Sequence, residues 1–182
     1  MPARPFVAEQ ASGALTNISG INAEPSDKYP VKRWDAICME MDCPGGLEFI
    51  MCTETHHDED TIAHTLAPQG WHIEWGAPRP PTEYVGCAIF LRTAAYRDFQ
   101  PVTMIPGTDA ELYYLAGRLL CVQVFFGDGG WSCLYYVIYA DAQNKAERNK
   151  IVRAVIEDAD SRNLPALMGG DWNDPPAALA AM

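Results

Sequence analysis

The sequence predicts a single α+β domain built from paired strands with helices packed against them. Two totals support this prediction: the chain has 182 residues, the usual size of one domain, and 48% of them are apolar, enough for a sizeable core. A third observation is the order strand, helix, strand between residues 134 and 168, which is typical of a crossover unit. We therefore expect residues 1–182 to form one domain.

In the first half of the chain, short apolar runs alternate with polar or proline-containing loops. Apolar runs and apolar–polar alternation predict strands at 14–18, 47–52, 70–75 and 85–91. Apolar residues at helical spacing predict a helix over 31–41, and a short helix is expected over 58–66. Trp71 and Trp75 lie on one face of the third strand, where packing is a commoner role than base stacking.

The second half of the chain carries the clearest elements. Strands at 119–126 and 134–139 flank the glycine-rich turn 127–130, so they predict a hairpin. Asn144 is expected to cap a helix, with Glu147 as its reciprocal partner. The apolar stripe of this helix is expected to consist of Ile151, Val152, Val155, Ile156 and Ala159. A short strand over 166–168 follows the helix.

Charge and cysteine content argue against several classes of protein. The formal net charge is −11 with no dense Lys/Arg stripe, which disfavours a basic nucleic-acid platform, although acidic side chains that hold a divalent cation still allow phosphate to approach. The six cysteines form no Cys-x-x-Cys pair, so we expect buried free thiols rather than a zinc site. Neither a signal peptide nor an apolar span is visible, which favours an intracellular protein.

Two carboxylates, Glu54 and Asp171, each follow an apolar run that predicts a buried strand. Strand ends in sheets with helical crossovers are common places for sites, and a carboxylate there can bind a cation. Gly169 and Gly170 would let another backbone or a phosphate come close, and Asn173 can bond a phosphate oxygen. Taken alone, the segment also fits an ordinary glycine-rich turn, and Glu54 also fits a solvated strand end.

Five segments of the chain resemble, in the same order, five segments of the endonuclease/exonuclease/phosphatase superfamily, whose fold is called DNase I-like. They are residues 14–20, 49–56, 85–91, 135–140 and 166–173. The resemblance covers nearly the whole chain and looks closest to the endonuclease domains of retroelements and to abasic-site endonucleases. It implies a four-layer α/β/β/α sandwich that is C-terminally truncated, because the family's closing stretch with its Asp-His pair does not follow residue 173.

The same resemblance implies a metal-dependent phosphodiesterase, most simply an endonuclease-type hydrolase of nucleic acid. Glu54 is expected to bind Mg²⁺ or Mn²⁺, and Asp171 is expected to orient or deprotonate the attacking water. Asn17, Asn173 and Tyr139 are expected to hold phosphate oxygens. Nucleic acid is the expected partner, and no membrane partner is expected.

Departures from the family pattern leave a second interpretation open. Ser19 stands where the family usually has Asn or Asp, Thr53 stands where it has Gln, and the Asp-His pair is missing. His56 and His57 follow the candidate metal ligand closely, but a solvated loop is the commoner role for such residues. The alternative is a catalytically silent remnant or binding module that retains the first part of the fold. The missing segment also predicts that the chain self-associates, or that the enzyme is completed by another chain.

Overall fold

The computed structural model describes residues 13–17, 46–55, 70–77, 86–127, 130–140 and 144–172. The strands within these ranges are β1 Gly13–Asn17, β2 Phe49–Thr53, β3 Trp71–Trp75, β4 Cys87–Arg92, β5 Asp98–Pro101, β6 Leu119–Phe126, β7 Trp131–Tyr139 and β8 Ala166–Asp171. The helices are α1 Asp109–Leu115 and α2 Lys145–Arg162. The helices expected over 31–41 and 58–66 lie outside the described residues.

The eight described strands form two four-stranded sheets. The strand order is β1-β2-β4-β3 in the first sheet and β5-β6-β7-β8 in the second. The pairs β1/β2 and β7/β8 are parallel, and the other neighbours are antiparallel. Because α2 joins the parallel strands β7 and β8, the predicted crossover unit is confirmed.

The two sheets pack face to face over one apolar core. Buried side chains of this core include Met51 and Ile89 from the first sheet and Val122 and Val137 from the second. Since side chains alternate along a strand, the opposite face of the second sheet packs on α1 and α2 in a second core. The described layers are therefore sheet, sheet and helix, as the predicted α+β sandwich requires. Neither described helix is long and apolar enough to cross a membrane.

Helix α2 begins at the predicted cap. The Asn144 side chain accepts hydrogen bonds from the backbone N–H groups of Ala146 and Glu147, at 3.1 and 3.2 Å. The helix ends at Asn163, whose backbone adopts the left-handed conformation with φ 52°. A residue of this kind satisfies the last carbonyls and closes the helix.

The expected apolar stripe of α2 is partly wrong. Ile156 is 46% exposed, whereas Ala154 and Asp158 are buried beside Val155. The buried Asp158 carboxylate accepts a 2.7 Å hydrogen bond from the Tyr136 hydroxyl and is paired with Arg162. An acidic residue therefore occupies a core position that an apolarity pattern cannot recognise.

Strand β8 is longer than expected and includes both glycines and Asp171. A Cβ atom on Gly169 would lie 2.6 Å from Leu15 Cδ2 and from Met51 Sδ, so side chains of the first sheet pack closely on β8 at this position. Gly170 has φ +138°, and a Cβ atom there would collide with the Ile138 carbonyl. The close approach of another backbone is thus confirmed, and the protein's own strands occupy the space.

The buried-thiol prediction is confirmed for the cysteines within the described residues. Cys52, Cys87, Cys121 and Cys133 are free and buried. Cys38 and Cys43 lie outside the described part of the chain. Trp71 is also buried, 3% exposed, with the Arg92 guanidinium 5.0 Å from its ring, as its predicted packing role requires.

Candidate active site

The candidate site lies where strands from both sheets end. In the first sheet, Asn17 pairs in register with Thr53, the residue before Glu54. In the second sheet, Tyr139 pairs in register with Asp171. Because each pair closes its parallel ladder, the two strand ends are level with one another within each sheet.

A hydrogen bond from Tyr139 to Glu54 joins the two sheets at this edge. The Tyr139 hydroxyl donates to Glu54 Oε1 at 2.7 Å, across 85 positions of sequence. The sequence predicts roles for both residues but no contact between them. This bond brings one residue of each sheet into a common site.

The Glu54 backbone adopts an unusual conformation, with φ 55°. A side chain with a Cβ atom is disfavoured there by roughly 1–2 kcal/mol. The turn follows β2 directly and presents the half-buried Glu54 side chain to Tyr139. Backbone strain that persists beside a polar contact is common at functional sites.

The Tyr139 hydroxyl retains its proton at neutral pH. Burial raises the pKa of Tyr139 above its usual range, and the hydrogen bond to Glu54 raises it further. The negative charge of Asp171 also raises this pKa, whereas the positive charge of Arg118 lowers it. The protonated hydroxyl is therefore a hydrogen-bond donor to Glu54.

Arg118 belongs to the same site, although it is not among the site residues predicted from the sequence. The Tyr139 N–H donates to the Arg118 carbonyl at 2.9 Å, and the Arg118 Cζ lies 5.6 Å from the centroid of the Tyr139 ring. The hairpin prediction contains the signal that would have found it. A turn over 127–130 pairs Phe126 with Trp131, and the same register continues to Arg118 opposite Tyr139.

The carboxylates of this site fit a hard divalent cation, whose preferred ligands are oxygen atoms. Mg²⁺ commonly uses only one or two protein carboxylates and keeps several waters, so Glu54 and Asp171 are a sufficient donor set. Within the described residues, three or more His, Cys, Asp or Glu side chains do not gather into a metal-binding group. Oxygen donors alone match the ligand preference of Mg²⁺ more closely than that of zinc, which prefers a closed set of nitrogen and sulfur ligands.

Solved structures with a similar fold have low sequence identity to this chain. D. rerio TDP2 complexed with a single-strand DNA product is 18% identical, with 92% of this chain and 62% of that one covered and a TM-score of 0.61. An endonuclease/exonuclease/phosphatase family protein from Bacteroides thetaiotaomicron is 20% identical, with 88% and 62% covered and a TM-score of 0.59. ANGEL2, a 2′,3′-cyclic phosphatase, is 15% identical, with 79% and 44% covered and a TM-score of 0.58.

The chain shares its fold with these solved structures, one of which is an endonuclease/exonuclease/phosphatase family protein. The chain spans less than two thirds of the length of each of these three structures. No protein-family model matches the sequence, and no curated protein matches it.

Within this shared fold, the expected site residues separate into three groups. Glu54, Tyr139 and Asp171 are brought together by the contacts above. Asn17 is described by its backbone alone, which lies beside the end of β2. Asn173, His56 and His57 lie outside the described residues.

Proposed function

We propose that this chain is a divalent-metal-dependent phosphodiesterase that hydrolyses phosphodiester bonds of nucleic acid. The observation that carries the proposal is the hydrogen bond from Tyr139 to Glu54, with Asp171 paired to Tyr139 on the neighbouring strand. A fold shared with D. rerio TDP2, solved with a DNA product, and with the phosphatase ANGEL2 supports a phosphate ester as substrate.

In this proposal Glu54 holds the divalent cation. A cation bound there supplies Lewis-acid polarisation of a phosphoryl oxygen and neutralises charge on the leaving oxygen. The Tyr139 hydroxyl donates a hydrogen bond to Oε1 of this carboxylate at 2.7 Å. The phenol thereby fixes the direction of the metal ligand and excludes alternative rotamers of Glu54.

Asp171 has the role of orienting and deprotonating the attacking water. It is the register partner of Tyr139 on the neighbouring parallel strand, so the two side chains lie on the same face of the sheet. Asn17 and Asn173 complete the proposal as amide donors to the phosphate oxygens that gain charge in the transition state.

Substitution of the two carboxylates tests the proposal. Glu54→Gln and Asp171→Asn should each lower kcat/KM for a supercoiled plasmid and for bis(p-nitrophenyl) phosphate at least about 100-fold in Mg²⁺. Glu157→Gln, at an exposed position on α2, is the matched control and should retain wild-type activity. Both substitutions keep the shape of the side chain, so melting temperatures verify the fold.

Three results would contradict the proposal. They are an inactive wild type in Mg²⁺ and Mn²⁺, activity that survives EDTA, and equal activity of wild type and Glu54→Gln. Equal background nicking by both proteins would favour the catalytically silent interpretation instead.

Two finer parts of the proposal rest on the sequence resemblance. The retroelement-like kind of endonuclease is inferred from the five ordered segments, and it predicts nicking of duplex DNA rather than removal of terminal nucleotides. Self-association, or completion by another chain, predicts a mass above that of a monomer in light scattering. Each is decided by its own measurement.

A further inference from the structure

The start of β4 lies directly against the turn that carries Glu54. The antiparallel ladder between β2 and β4 ends at the pair Thr53–Cys87, so Glu54 and Gly86 are the first residues beyond it. Thr53, Gly86 and Cys87 are buried, and Glu54 is half-buried. The paired strands therefore bring Gly86 and the Glu54 turn to the same end of the first sheet.

Gly86 lacks the side chain that would push this turn away. A Cβ atom at position 86 would collide with Thr55 Oγ1 and would lie 3.5 Å from the Thr55 backbone nitrogen. Thr55 is 7% exposed, and its β-branched side chain has few alternative rotamers, so the hydroxyl has little room to move aside. A glycine at position 86 therefore allows the residue after Glu54 to pack where it does.

The two neighbours of Glu54 in the chain are both fixed in place. Thr53, 1% exposed, belongs to the last pair of the ladder, and Thr55 is packed against Gly86. Between them the Glu54 backbone has φ 55°, a conformation that persists only where the surrounding structure holds it. The direction of the Glu54 side chain is thus set by the contacts on either side of it.

Cys87, the next residue of β4, contacts the other half of the candidate site. Its thiol donates to the Gly117 carbonyl at 3.7 Å. Gly117 precedes Arg118, whose carbonyl accepts the 2.9 Å hydrogen bond from the Tyr139 N–H. Two adjacent residues of β4 therefore contact the two segments that the hydrogen bond between the sheets connects.

We propose that Gly86 is a positioning residue for the Glu54 carboxylate. By leaving space for Thr55, it holds the Glu54 turn where Oε1 lies 2.7 Å from the Tyr139 hydroxyl. Gly86 acts through Thr55 and does not itself take part in the chemistry. The catalytic consequence of this inference rests on the proposed phosphodiesterase function, whereas the hydrogen bond that it concerns is measurable without catalysis.

Two variants that differ only at position 55 test this contact. Gly86→Ala introduces the collision with Thr55, and Gly86→Ala/Thr55→Ala removes the hydroxyl, after which the 3.6 Å to the Thr55 Cβ is an ordinary contact. Both carry the same strain of an alanine at φ +139°, so recovery in the double variant comes from relief of the collision. Gly107→Ala is the matched control, because Gly107 also has a positive φ and a Cβ atom there meets nothing within 4 Å.

The ¹³C resonance of Tyr139 Cζ measures the hydrogen bond directly, since this carbon bears the hydroxyl. In protein labelled with [¹³Cζ]tyrosine the resonance is identified by its loss in Tyr139→Phe, and Glu54→Ala gives its position without the bond. We expect the resonance in Gly86→Ala to move to the Glu54→Ala position and to return to the wild-type position in the double variant. Gly107→Ala should leave it unmoved.

A resonance at the wild-type position in Gly86→Ala, or one that does not return in the double variant, would overturn the proposal. If Gly86→Ala does not fold, the double variant decides. It should fold and show the wild-type position, and its failure to do so would equally overturn the proposal.

The catalytic consequence is measured with bis(p-nitrophenyl) phosphate in Mg²⁺. Gly86→Ala should lower kcat at least about tenfold with KM within about threefold of wild type, because a displacement of roughly 1 Å at the reacting groups costs up to about 100-fold. Most of kcat should return in the double variant. Wild-type kcat in Gly86→Ala despite a moved resonance would overturn the role in catalysis. An inactive wild type with the expected resonances would overturn the phosphodiesterase and leave the positioning of Glu54 standing.

Discussion

Glu54 combines a strained backbone with the carboxylate that the proposed chemistry needs. Its φ of 55° carries a steric cost of roughly 1–2 kcal/mol for a residue with a Cβ atom. The hydrogen bond from Tyr139 and the proposed metal are interactions of the side chain, not of the backbone. Selection for the carboxylate would therefore explain why a glycine does not occupy this turn.

The first prediction concerns this strain. Glu54→Gly and Glu54→Ala both remove the carboxylate, but only alanine keeps the Cβ atom, so the glycine variant should be the more stable by about 1 kcal/mol in urea unfolding at pH 7. The same pair at Glu157, inside α2, should show the opposite order by about 1 kcal/mol, since alanine is the better helix former. An alanine variant at position 54 as stable as the glycine variant would contradict the strained conformation.

At the residue scale, the sequence predicts candidates but not their contacts. Glu54 and Asp171 are recognisable as carboxylates at strand ends. The Tyr139–Glu54 bond joins different sheets, and neither periodicity nor turn chemistry relates residues in different sheets. The position of Arg118 is predictable from the sequence, because the hairpin register alone places it opposite Tyr139.

At the scale of elements, a buried ion pair attaches α2 to the second sheet. Asp158 receives hydrogen bonds from Arg162 Nε at 2.7 Å and Nη2 at 2.9 Å, besides the bond from Tyr136 of β7. The Asp158 side chain is 2% exposed and that of Arg162 is 20% exposed. A carboxylate buried this deeply depends on its partners to remain charged.

The second prediction follows from that dependence. Arg162→Ala should lower the free energy of unfolding by about 3 kcal/mol, because it leaves Asp158 buried without its cation. Lys150→Ala removes an exposed i,i+3 pair from the same helix and should leave the free energy of unfolding nearly unchanged. In the double variant Asp158→Ala/Arg162→Ala the loss should be smaller than the sum of the single losses. Strict additivity in this cycle would contradict a coupled pair.

Strand β5 and helix α1 were not predicted from the sequence, for different reasons. Strand β5 is mostly exposed and ends in Pro101, so it has neither apolar alternation nor the composition of a central strand. Helix α1 did carry a signal. Thr108 accepts from the Glu111 N–H at 3.3 Å and Glu111 accepts from the Gly107 N–H at 2.7 Å, a close relative of the Thr-x-x-Glu capping box.

At the scale of the whole molecule, the buried thiols couple stability to pH. Burial raises the pKa of Cys87 to about 12 and that of Cys133 to about 11, from an ordinary value of 9.0, and it raises those of Cys52 and Cys121 further. As pH rises, these thiols therefore ionise at a lower pH in the unfolded chain than in the folded protein. The stabilisation they give is thus complete below pH 9 and is lost as pH rises above it.

The third prediction is a loss of stability in mild alkali. With reductant present, the free energy of unfolding should fall between pH 9 and pH 10, by at most about 1.4 kcal/mol per pH unit for each thiol. The variant Cys87→Ala/Cys133→Ala should show a shallower slope in the same urea titrations. An unchanged free energy from pH 8 to pH 10 would show that the folded thiols ionise as freely as unfolded ones.

The layered architecture was predictable only in part. Strand, helix and hairpin patterns indicate which elements form and which neighbours pair locally. The assignment of strands to two sheets came from the resemblance of five ordered segments. It could not come from composition, because β2 and β7 are equally apolar and both would fit one larger sheet.

The hydrogen bond between Glu54 and Tyr139 also constrains when the site comes into existence. Its two residues are 85 positions apart. At a translation rate of about 5–20 residues per second, Tyr139 is therefore synthesised roughly 4–17 s after Glu54. Such long-range closure is among the slow steps of folding. A nascent chain would thus carry every local feature of the first sheet while still unable to fix the residue that we propose as the metal ligand, and the proposed hydrolytic activity would appear only with completed tertiary structure.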